Sequence, residues 1–294
     1  MKKTIILLLL IVTSPLYAKL KVITTYPYIA DITSRIGGDS LSVHALASGN
    51  WDPHFVTPKP SLIAKVRRAD LLILNGAELE IGWMPPVIRE ARNAKVQPGS
   101  TGFLDLSIYI KLIDVPGNVS RAQGDVHPSG NPHYALGPIN IAKIAVAIKN
   151  KLNELDPGNR AAYTKNHKEF NLLWDNKLKE WEEIMKPLRG IKVVQYHKNF
   201  DYLFEHYGMI PVIELEPLPG IAPTTRHIMR VIDIINSQGV RLIINDVYHS
   251  QKPAQLVVRK TGMRMITLPH DVNAIKEAKD IVALFDEIVG RLSK

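Results

Sequence analysis

The feature that most constrains the fold is a long stretch without any helix-breaking residue, Asn159 to Met185. Its 27 residues include neither proline nor glycine, and Phe170, Trp174 and Trp181 recur at helical spacing. At a rise of 1.5 Å per residue, a helix of this length measures about 40 Å. It is too polar to cross a membrane and lacks a sustained heptad. The sequence therefore predicts either one long surface helix or, more sharply, a rigid connector between two lobes.

Short apolar runs alternate with amphipathic segments on both sides of this stretch. Such alternation is typical of βαβ units, whose parallel strands are covered by helices. The sequence thus predicts an α/β fold with two lobes, each a central, mostly parallel sheet flanked by helices, joined by one long rigid helix. The predicted divisions are a leader at 1–18, a first lobe at 19–156, the linking helix at 157–187 and a second lobe at 188–294. The predicted strands are Leu20–Thr24, Leu41–Ala45, Leu71–Leu74, Lys192–Gln195, Met209–Glu214, Leu242–Asn245 and Arg264–Leu268.

The first 18 residues have the pattern of a secretory leader. Lys2 and Lys3 form a basic start, and the apolar run Thr4–Val12 is too short to span a bilayer. A proline ends the run, and the small residue Ala18 suits cleavage by signal peptidase. The alternative is an N-terminal membrane anchor. The pattern favours a cleaved leader, so we expect export from the cytoplasm.

The absence of cysteine and the charge balance exclude several classes of protein. The chain has no cysteine, which excludes disulfides, thiolate metal sites and a lipid-modified N-terminal cysteine. We therefore expect a periplasmic protein without a lipid anchor. The net charge is +9, or +7 without the two leader lysines, and acidic residues accompany the basic ones along the helices. This pattern indicates a solvated basic surface and no nucleic-acid partner.

Four polar residues stand where an open α/β sheet places its ligand-binding side chains, beyond the carboxyl ends of strands. His54 follows the second predicted strand and His133 precedes a helix; a proline directly before each stiffens its loop. His197 stands at the end of a strand, and Asp271 lies past the last one. Two of the four belong to each predicted lobe. The sequence therefore predicts one metal site between the lobes.

The residue types of this set limit which metal ion the site can bind. Imidazole and carboxylate donors suit Zn²⁺ in a tetrahedral site. Without thiolates the site has borderline hardness, so Mn²⁺ is the alternative ion. A single histidine is more often a surface or capping residue, and we retain that interpretation for five others. These are His44, His167, His206, His227 and His249.

Several motifs resemble those of a known family, and they occur in order along nearly the whole mature chain. They are Asp52-Pro53-His54 with Pro58–Ser61, Ala69-Asp70-Leu71 and Asn75-Gly76, then Gly130–Tyr134, and then Tyr196–Tyr202. With these motifs and the long helix between the lobes, the chain resembles the cluster A-I zinc/manganese solute-binding proteins of ABC transporters. Three histidines and a carboxylate resemble the zinc members, because manganese members tend to replace one histidine by glutamate.

The resemblance implies a binding protein and not an enzyme. It implies that His54, His133 and His197 are ligands and that a carboxylate near the C-terminus completes the set, with Asp271 as its match. It further implies that the protein captures Zn²⁺ in the cleft and delivers it to an ABC-transporter membrane permease in the periplasm. A metallochaperone is a further candidate partner, and we expect a monomer.

Three alternatives concern the residues around the ion. The family often has Asp directly before a C-terminal proline, where this chain has a leucine, so His270 rivals Asp271. The stretch Asp125–His127 is either an ordinary loop or an accessory site of metal capture. Glu78 and Glu80 follow a strand near the expected cleft, where they are candidates to contact the metal or its ligands.

Other functions remain alternatives to zinc capture. The first is a manganese-binding member of the same family, and the second is a solute-binding protein for a metal chelate, which would favour a cleft rich in arginine and aromatic residues. A metallohydrolase is disfavoured, because catalytic zinc keeps an open position for water and no His-Glu-x-x-His motif occurs. An adhesin is the remaining alternative.

Overall fold

The fold places two parallel β-sheets in sequence, each covered by helices. The computed structural model of the chain describes residues 19–117 and 127–294. No helix within these two ranges is both long enough and apolar enough to cross a membrane. The leader at 1–18, with its predicted cleavage after Ala18, lies outside the described residues, as does Asp125.

Strands and helices alternate through both halves of the chain. The elements are β1 Leu20–Thr24, α1 Pro27–Gly37, β2 Leu41–Ala45, α2 Pro60–Arg67, β3 Leu71–Leu74, α3 Met84–Ala91, β4 Phe103–Asp105, α4 Pro138–Leu155, α5 Arg160–Met185, β5 Lys192–Gln195, α6 Asp201–Tyr207, β6 Ile210–Glu214, α7 Thr225–Gln238, β7 Leu242–Asp246, α8 Lys252–Thr261, β8 Met265–Leu268 and α9 Ile281–Leu292. Five of these helices, α1, α2, α3, α4 and α8, have proline in the first turn, where its missing N–H costs no hydrogen bond.

Both sheets have the same strand order. The first runs β2-β1-β3-β4 and the second β6-β5-β7-β8, and all neighbouring strands are parallel. In the first sheet β2 lies on one side of β1 and β3 on the other, and in the second sheet β6 and β7 flank β5 in the same way. The direction of the strand order therefore reverses at β1 and at β5. Ligands of open α/β sheets bind at the carboxyl ends of strands next to such a reversal. We therefore expect a ligand-binding site near the residues past Thr24 in one sheet and past Gln195 in the other.

The long helix α5 is fixed to helices from both ends of the chain. It packs against α1, α4 and α9. Asn166 donates to the carbonyl oxygen of Ile36 in α1 at 3.0 Å. The indole N–H of Trp174 donates to the carbonyl oxygen of Pro138, the first residue of α4, at 2.9 Å. The indole N–H of Trp181 donates to the carboxylate oxygen of Asp286 in α9 at 2.8 Å. Both tryptophans are buried, so α5 contributes to the core as well as linking the two sheets.

The predicted fold class, two parallel sheets flanked by helices with one long helix between them, is confirmed. Some details of the strands differ from the prediction. β6 and β8 begin one residue later than predicted, and β7 ends one residue later. The strand β4 was not predicted, because its three residues are too few to give a periodic signal. The last helix begins at Ile281, where the Asp280 side chain accepts the N–H of Ala283 and caps the helix.

Candidate metal centre

Three histidines from distant parts of the chain meet beyond the strand ends. His54, His133 and His197 each offer a ring nitrogen, and the three nitrogens lie within 4.8 Å of one another. The Nε2 atoms of His133 and His197 are 3.0 Å apart. Two nitrogens bound at 2.0–2.1 Å to one tetrahedral Zn²⁺ would be separated by about 3.3 Å. The spacing of these two nitrogens is therefore close to that of two ligands of one ion.

A local turn orients the His54 ring. The Asp52 carboxylate accepts both the backbone N–H and the Nδ1–H of His54, each at 2.9 Å. With Nδ1 occupied, Nε2 is the nitrogen left for an ion, and this atom is buried without a hydrogen-bond partner. A carboxylate on the far nitrogen of a ligand histidine fixes its tautomer and raises its basicity.

The segment that carries His133 is held by the second half of the chain. Asn131 accepts the backbone N–H of His133 at 2.9 Å and donates from its side chain to the carbonyl oxygen of Lys198 at 2.9 Å. The Tyr202 hydroxyl in α6 donates to the Asn131 carbonyl oxygen at 2.7 Å and accepts the N–H of Ile113 at 3.2 Å. His133 is thus positioned by contacts that join the two halves.

The contact between His197 and Glu216 results from the register of two neighbouring parallel strands. Gln195 in β5 is paired with Glu214 in β6. His197 and Glu216 each lie two residues beyond this pair, so they remain side by side. The Glu216 carboxyl group makes a short hydrogen bond with Nδ1 of His197, and both side chains are buried. The Nε2 atom of His197 is therefore turned toward His133.

The electrostatics of the site favour neutral rings. Burial lowers the pKa of His197 to about 3 and that of His133 well below its usual range. Both rings are neutral at physiological pH, as metal ligation requires. The contact between their Nε2 atoms requires a proton on one of them, and that atom must lose this proton before it can bind an ion.

Asp271, the predicted fourth ligand, lies beside the histidines but outside their group. Asp271, His133 and His270 line the same small cavity. The Oδ1 atom of Asp271 accepts the N–H groups of Tyr28 and Val272 at 2.9 and 2.6 Å. Among the described residues, the three histidines are the only group of three or more whose ligand atoms all lie within 4.8 Å of one another. The assignment of Asp271 as a ligand stays a prediction.

His270, the predicted rival of Asp271, uses Nε2 in a hydrogen bond with the carbonyl oxygen of Trp51 at 3.1 Å. Its ring packs edge-on against Tyr248, with 4.6 Å between the ring centroids. Burial lowers the pKa of His270 to about 4, so the ring is neutral at pH 7. Only Nδ1, which is buried and has no partner, is left as a donor for an ion.

The two glutamates that follow β3 are used in hydrogen bonds with the protein. Glu80 is buried and accepts the Thr25 hydroxyl at 2.7 Å and the N–H groups of Asn75 and Gly76 at 2.7 and 3.0 Å. Burial raises the pKa of Glu80 to about 7. Glu78 accepts the hydroxyl and N–H groups of Ser129 at 2.7 and 3.3 Å. Both side chains therefore organise the loops around the site.

Sequence reasoning missed the two carboxylates that orient the ligand rings. Asp52 had a local signal, because an aspartate two residues before a histidine can accept its N–H in a tight turn. Glu216 had none in the linear sequence, since it is 19 residues from His197. Only the pairing of β5 with β6 identifies it.

A cavity of about 210 Å³ adjoins the histidines. His127, His133 and His197 line it, together with Lys198 and Asp114. The last two form an ion pair of 3.1 Å with partly exposed side chains. The cavity thus extends from the histidines toward partly exposed side chains.

Known proteins match the chain over most of its length. The family profile of the zinc-uptake complex component A, periplasmic, matches residues 22–294. The manganese ABC transporter substrate-binding lipoprotein PsaA of Streptococcus mitis is 30% identical over 196 residues, covering 65% of this chain and 60% of that protein. The iron-binding protein YfeA of Yersinia pestis is 27% identical over 254 residues, covering 83% and 75% of the two chains.

The fold is also similar to that of a solved structure. A crystal structure of ZnuA matches 94% of this chain and 98% of its own, with a TM-score of 0.78 and 22% identity. The chain spans about 60% of the length of the streptococcal lipoproteins that it matches. Because the profile covers nearly the whole chain beyond the leader, the chain belongs to the family of the periplasmic component A of zinc-uptake complexes.

Proposed function

We propose that this protein captures one Zn²⁺ ion between its two sheets and delivers it to the membrane permease of an ABC importer. The observation that carries the proposal is the group of His54, His133 and His197. Two of its rings have carboxylates on Nδ1, an arrangement that prepares imidazoles to bind a metal. The relatives are named for zinc, manganese or iron, which supports a divalent metal as cargo. A manganese-binding protein is the alternative.

The residues proposed to hold the ion are the three histidines and Asp271. Three imidazoles and one carboxylate would surround Zn²⁺ completely, which suits binding and release better than catalysis, where one position stays open for water. We propose a periplasmic location with a cleaved leader and no lipid anchor, and a monomer as the working form. The proposed boundaries of the two lobes are 19–156 and 188–294, with the linking helix at 157–187.

The test is a titration of the metal-free mature chain with Zn²⁺ and with Mn²⁺. We expect one ion per chain for Zn²⁺, measured by calorimetry and by metal analysis after dialysis, and displacement of Mn²⁺ when Zn²⁺ is added. Zn²⁺ forms the stronger complexes with nitrogen donors of this kind. Tighter binding of Mn²⁺ than of Zn²⁺ would favour the manganese alternative, and binding of neither ion would refute the proposal.

The contact between Glu216 and His197 predicts a second result. Burial raises the pKa of Glu216 to about 8, so its carboxyl group can release a proton when an ion binds His197. Glu216→Gln keeps the shape of the side chain but cannot become the carboxylate that would raise the basicity of the His197 ring. We expect the Zn²⁺ affinity to fall by about 10- to 100-fold, the usual effect of changing a residue that orients a metal ligand. Glu214→Gln, two residues earlier on β6, is the matched control and should bind Zn²⁺ as the unmodified chain does. Equal affinities for the two variants would contradict the assigned role of Glu216.

A further inference from the structure

A further cavity, of about 410 Å³, lies between the first sheet and α2. Lys21 lines it from β1 and His44 from β2. Lys65 in α2 and Arg68, directly after α2, line it from the opposite side. None of the described residues that line this cavity is acidic. We call it the basic pocket.

The positive charges of the basic pocket are not neutralised by neighbouring carboxylates. Among the described residues, no acidic side chain pairs with Lys21, Lys65 or Arg68, and all three side chains are exposed. Asp70, which follows them in the chain, uses Oδ2 to accept the backbone N–H of Lys21 at 3.1 Å and Oδ1 to pair with Lys95 at 2.8 Å. The pocket therefore presents a net positive charge to the solvent.

The sequence of α2 accounts for this charge. Between Asp52 and Asp70 the chain has four lysine and arginine residues and no acidic residue. The general mixing of acidic and basic residues along the helices thus does not extend to α2. Uncompensated cations on one face attract anions, and the attraction is strongest where a cavity brings several cations together.

The groups in the basic pocket suit a phosphate-bearing anion. Lysine binds phosphate as a point charge, and arginine binds it through paired N–H groups. Ser42 and Ser61 line the same cavity, and their hydroxyl groups can donate to phosphate oxygens. The volume lies within the range of about 300–1,000 Å³ that is usual for small-molecule sites, so the headgroup of a phospholipid fits.

The basic pocket lies toward the opposite end of the sheet from the histidines. Lys21 is the second residue of β1, and Arg68 lies three residues before β3, so both stand at the amino ends of parallel strands. The histidines of the metal centre lie beyond the carboxyl ends. An anion bound in the pocket therefore leaves the metal centre accessible.

The start of β1 is also the place from which an N-terminal lipid anchor would extend. Several relatives are named as lipoproteins, whereas the 294 residues of this chain include no cysteine. The net charge of the chain is +9, or +7 without the two leader lysines, which adds a general attraction to anionic lipid surfaces. The basic pocket thus stands where a substitute for a lipid anchor would be expected.

We propose that the basic pocket binds the phosphate headgroups of anionic phospholipids and so holds the protein at the surface of the membrane that contains its permease; this inference rests on the proposed periplasmic location without a lipid anchor. Each lysine or arginine near an anionic membrane strengthens binding about fivefold. Binding of this strength is reversible. It concentrates the protein near the membrane and still allows it to turn toward a permease.

The test measures sedimentation of the metal-free mature chain with vesicles of phosphatidylglycerol and phosphatidylethanolamine, and with vesicles of phosphatidylcholine alone. We expect binding to the first vesicles only, and loss of that binding in about 1 M salt, where charges are screened within about 3 Å. A triple variant, Lys21→Gln with Lys65→Gln and Arg68→Gln, should bind the anionic vesicles on the order of 100-fold more weakly.

The matched control removes the same charge from exposed positions on α5 and α8, by Lys168→Gln, Lys179→Gln and Lys260→Gln together. It should bind the anionic vesicles nearly as well as the unmodified chain. Equal weakening in the two triple variants would overturn the inference, because net charge alone would then explain the binding. Saturable binding of inorganic phosphate, measured by calorimetry, without binding to vesicles would overturn it as well.

A separate measurement distinguishes this inference from the proposed function. Both triple variants keep every residue of the metal centre, so they should bind Zn²⁺ as the unmodified chain does. Failure of the unmodified chain to bind Zn²⁺ would refute the proposed function, whereas the vesicle experiment, performed without metal, decides the membrane contact by itself. The melting temperatures of the two triple variants verify that each is folded.

Discussion

A chain carrying His133→Ala and His197→Ala together will lose stoichiometric Zn²⁺ binding. Sites with four donors bind Zn²⁺ with about 10–16 kcal/mol, or about 3 kcal/mol per donor, so each lost donor weakens binding on the order of 100-fold. Two lost donors reduce the affinity by about 10⁴-fold on the same scale. Metal analysis after dialysis should find no retained ion in the double variant and one ion per chain in the unmodified protein.

The control is a second double variant, His44→Ala with His167→Ala, which removes two histidines outside the site. It should retain one Zn²⁺ per chain with unchanged affinity. The loss of His197 also leaves the buried Glu216 without its partner, so the melting temperature of the metal-free double variant must be compared with that of the unmodified chain. One-to-one binding at full affinity in the His133→Ala, His197→Ala chain, folded by this criterion, would refute the proposed site.

Much of the fold was predictable because the apolar residues in the sequences of the strands are the residues that the structure buries. β3 and β7 are buried along nearly their whole length, and β3 and the first three residues of β7 are apolar runs, as expected of parallel strands covered on both faces. The length of α5 followed from the absence of proline and glycine between Asn159 and Met185. β4 escaped prediction because its pairing with β3, and not its own three residues, makes it a strand.

Some residues of the site could be predicted from the sequence and others could not, and the reason is physical. His54, His133 and His197 stand next to turns and strand ends, which the linear sequence marks with prolines and apolar runs. Asp52 could be found from its position two residues before His54, but the other contacts of these rings are tertiary and no local pattern records them. Glu216 reaches His197 through the register of β5 and β6, and His127 reaches His54 through packing of a loop.

Replacing Asp271 will separate its structural contribution from its predicted role as a ligand. Asp271 is buried, and its Oδ1 atom accepts the N–H groups of Tyr28 and Val272. Asp271→Ala leaves both buried N–H groups without this acceptor, which costs about 1–3 kcal/mol each. We expect the melting temperature of the metal-free chain to fall by about 5–15 °C, measured by calorimetry.

Asp271→Asn is the matched variant, because its amide oxygen can still accept both N–H groups but the side chain can no longer become a carboxylate ligand. We expect this variant to melt close to the unmodified chain without metal, and to bind Zn²⁺ about 100-fold more weakly, as the loss of one donor predicts. His270→Ala, one residue earlier, should change the Zn²⁺ affinity by less than about tenfold, the lower end of the effect of a residue next to the ligands. If Asp271→Asn binds Zn²⁺ normally while His270→Ala loses the ion, the fourth ligand is His270, and the carboxylate serves only to hold the loop that follows β8 against α1.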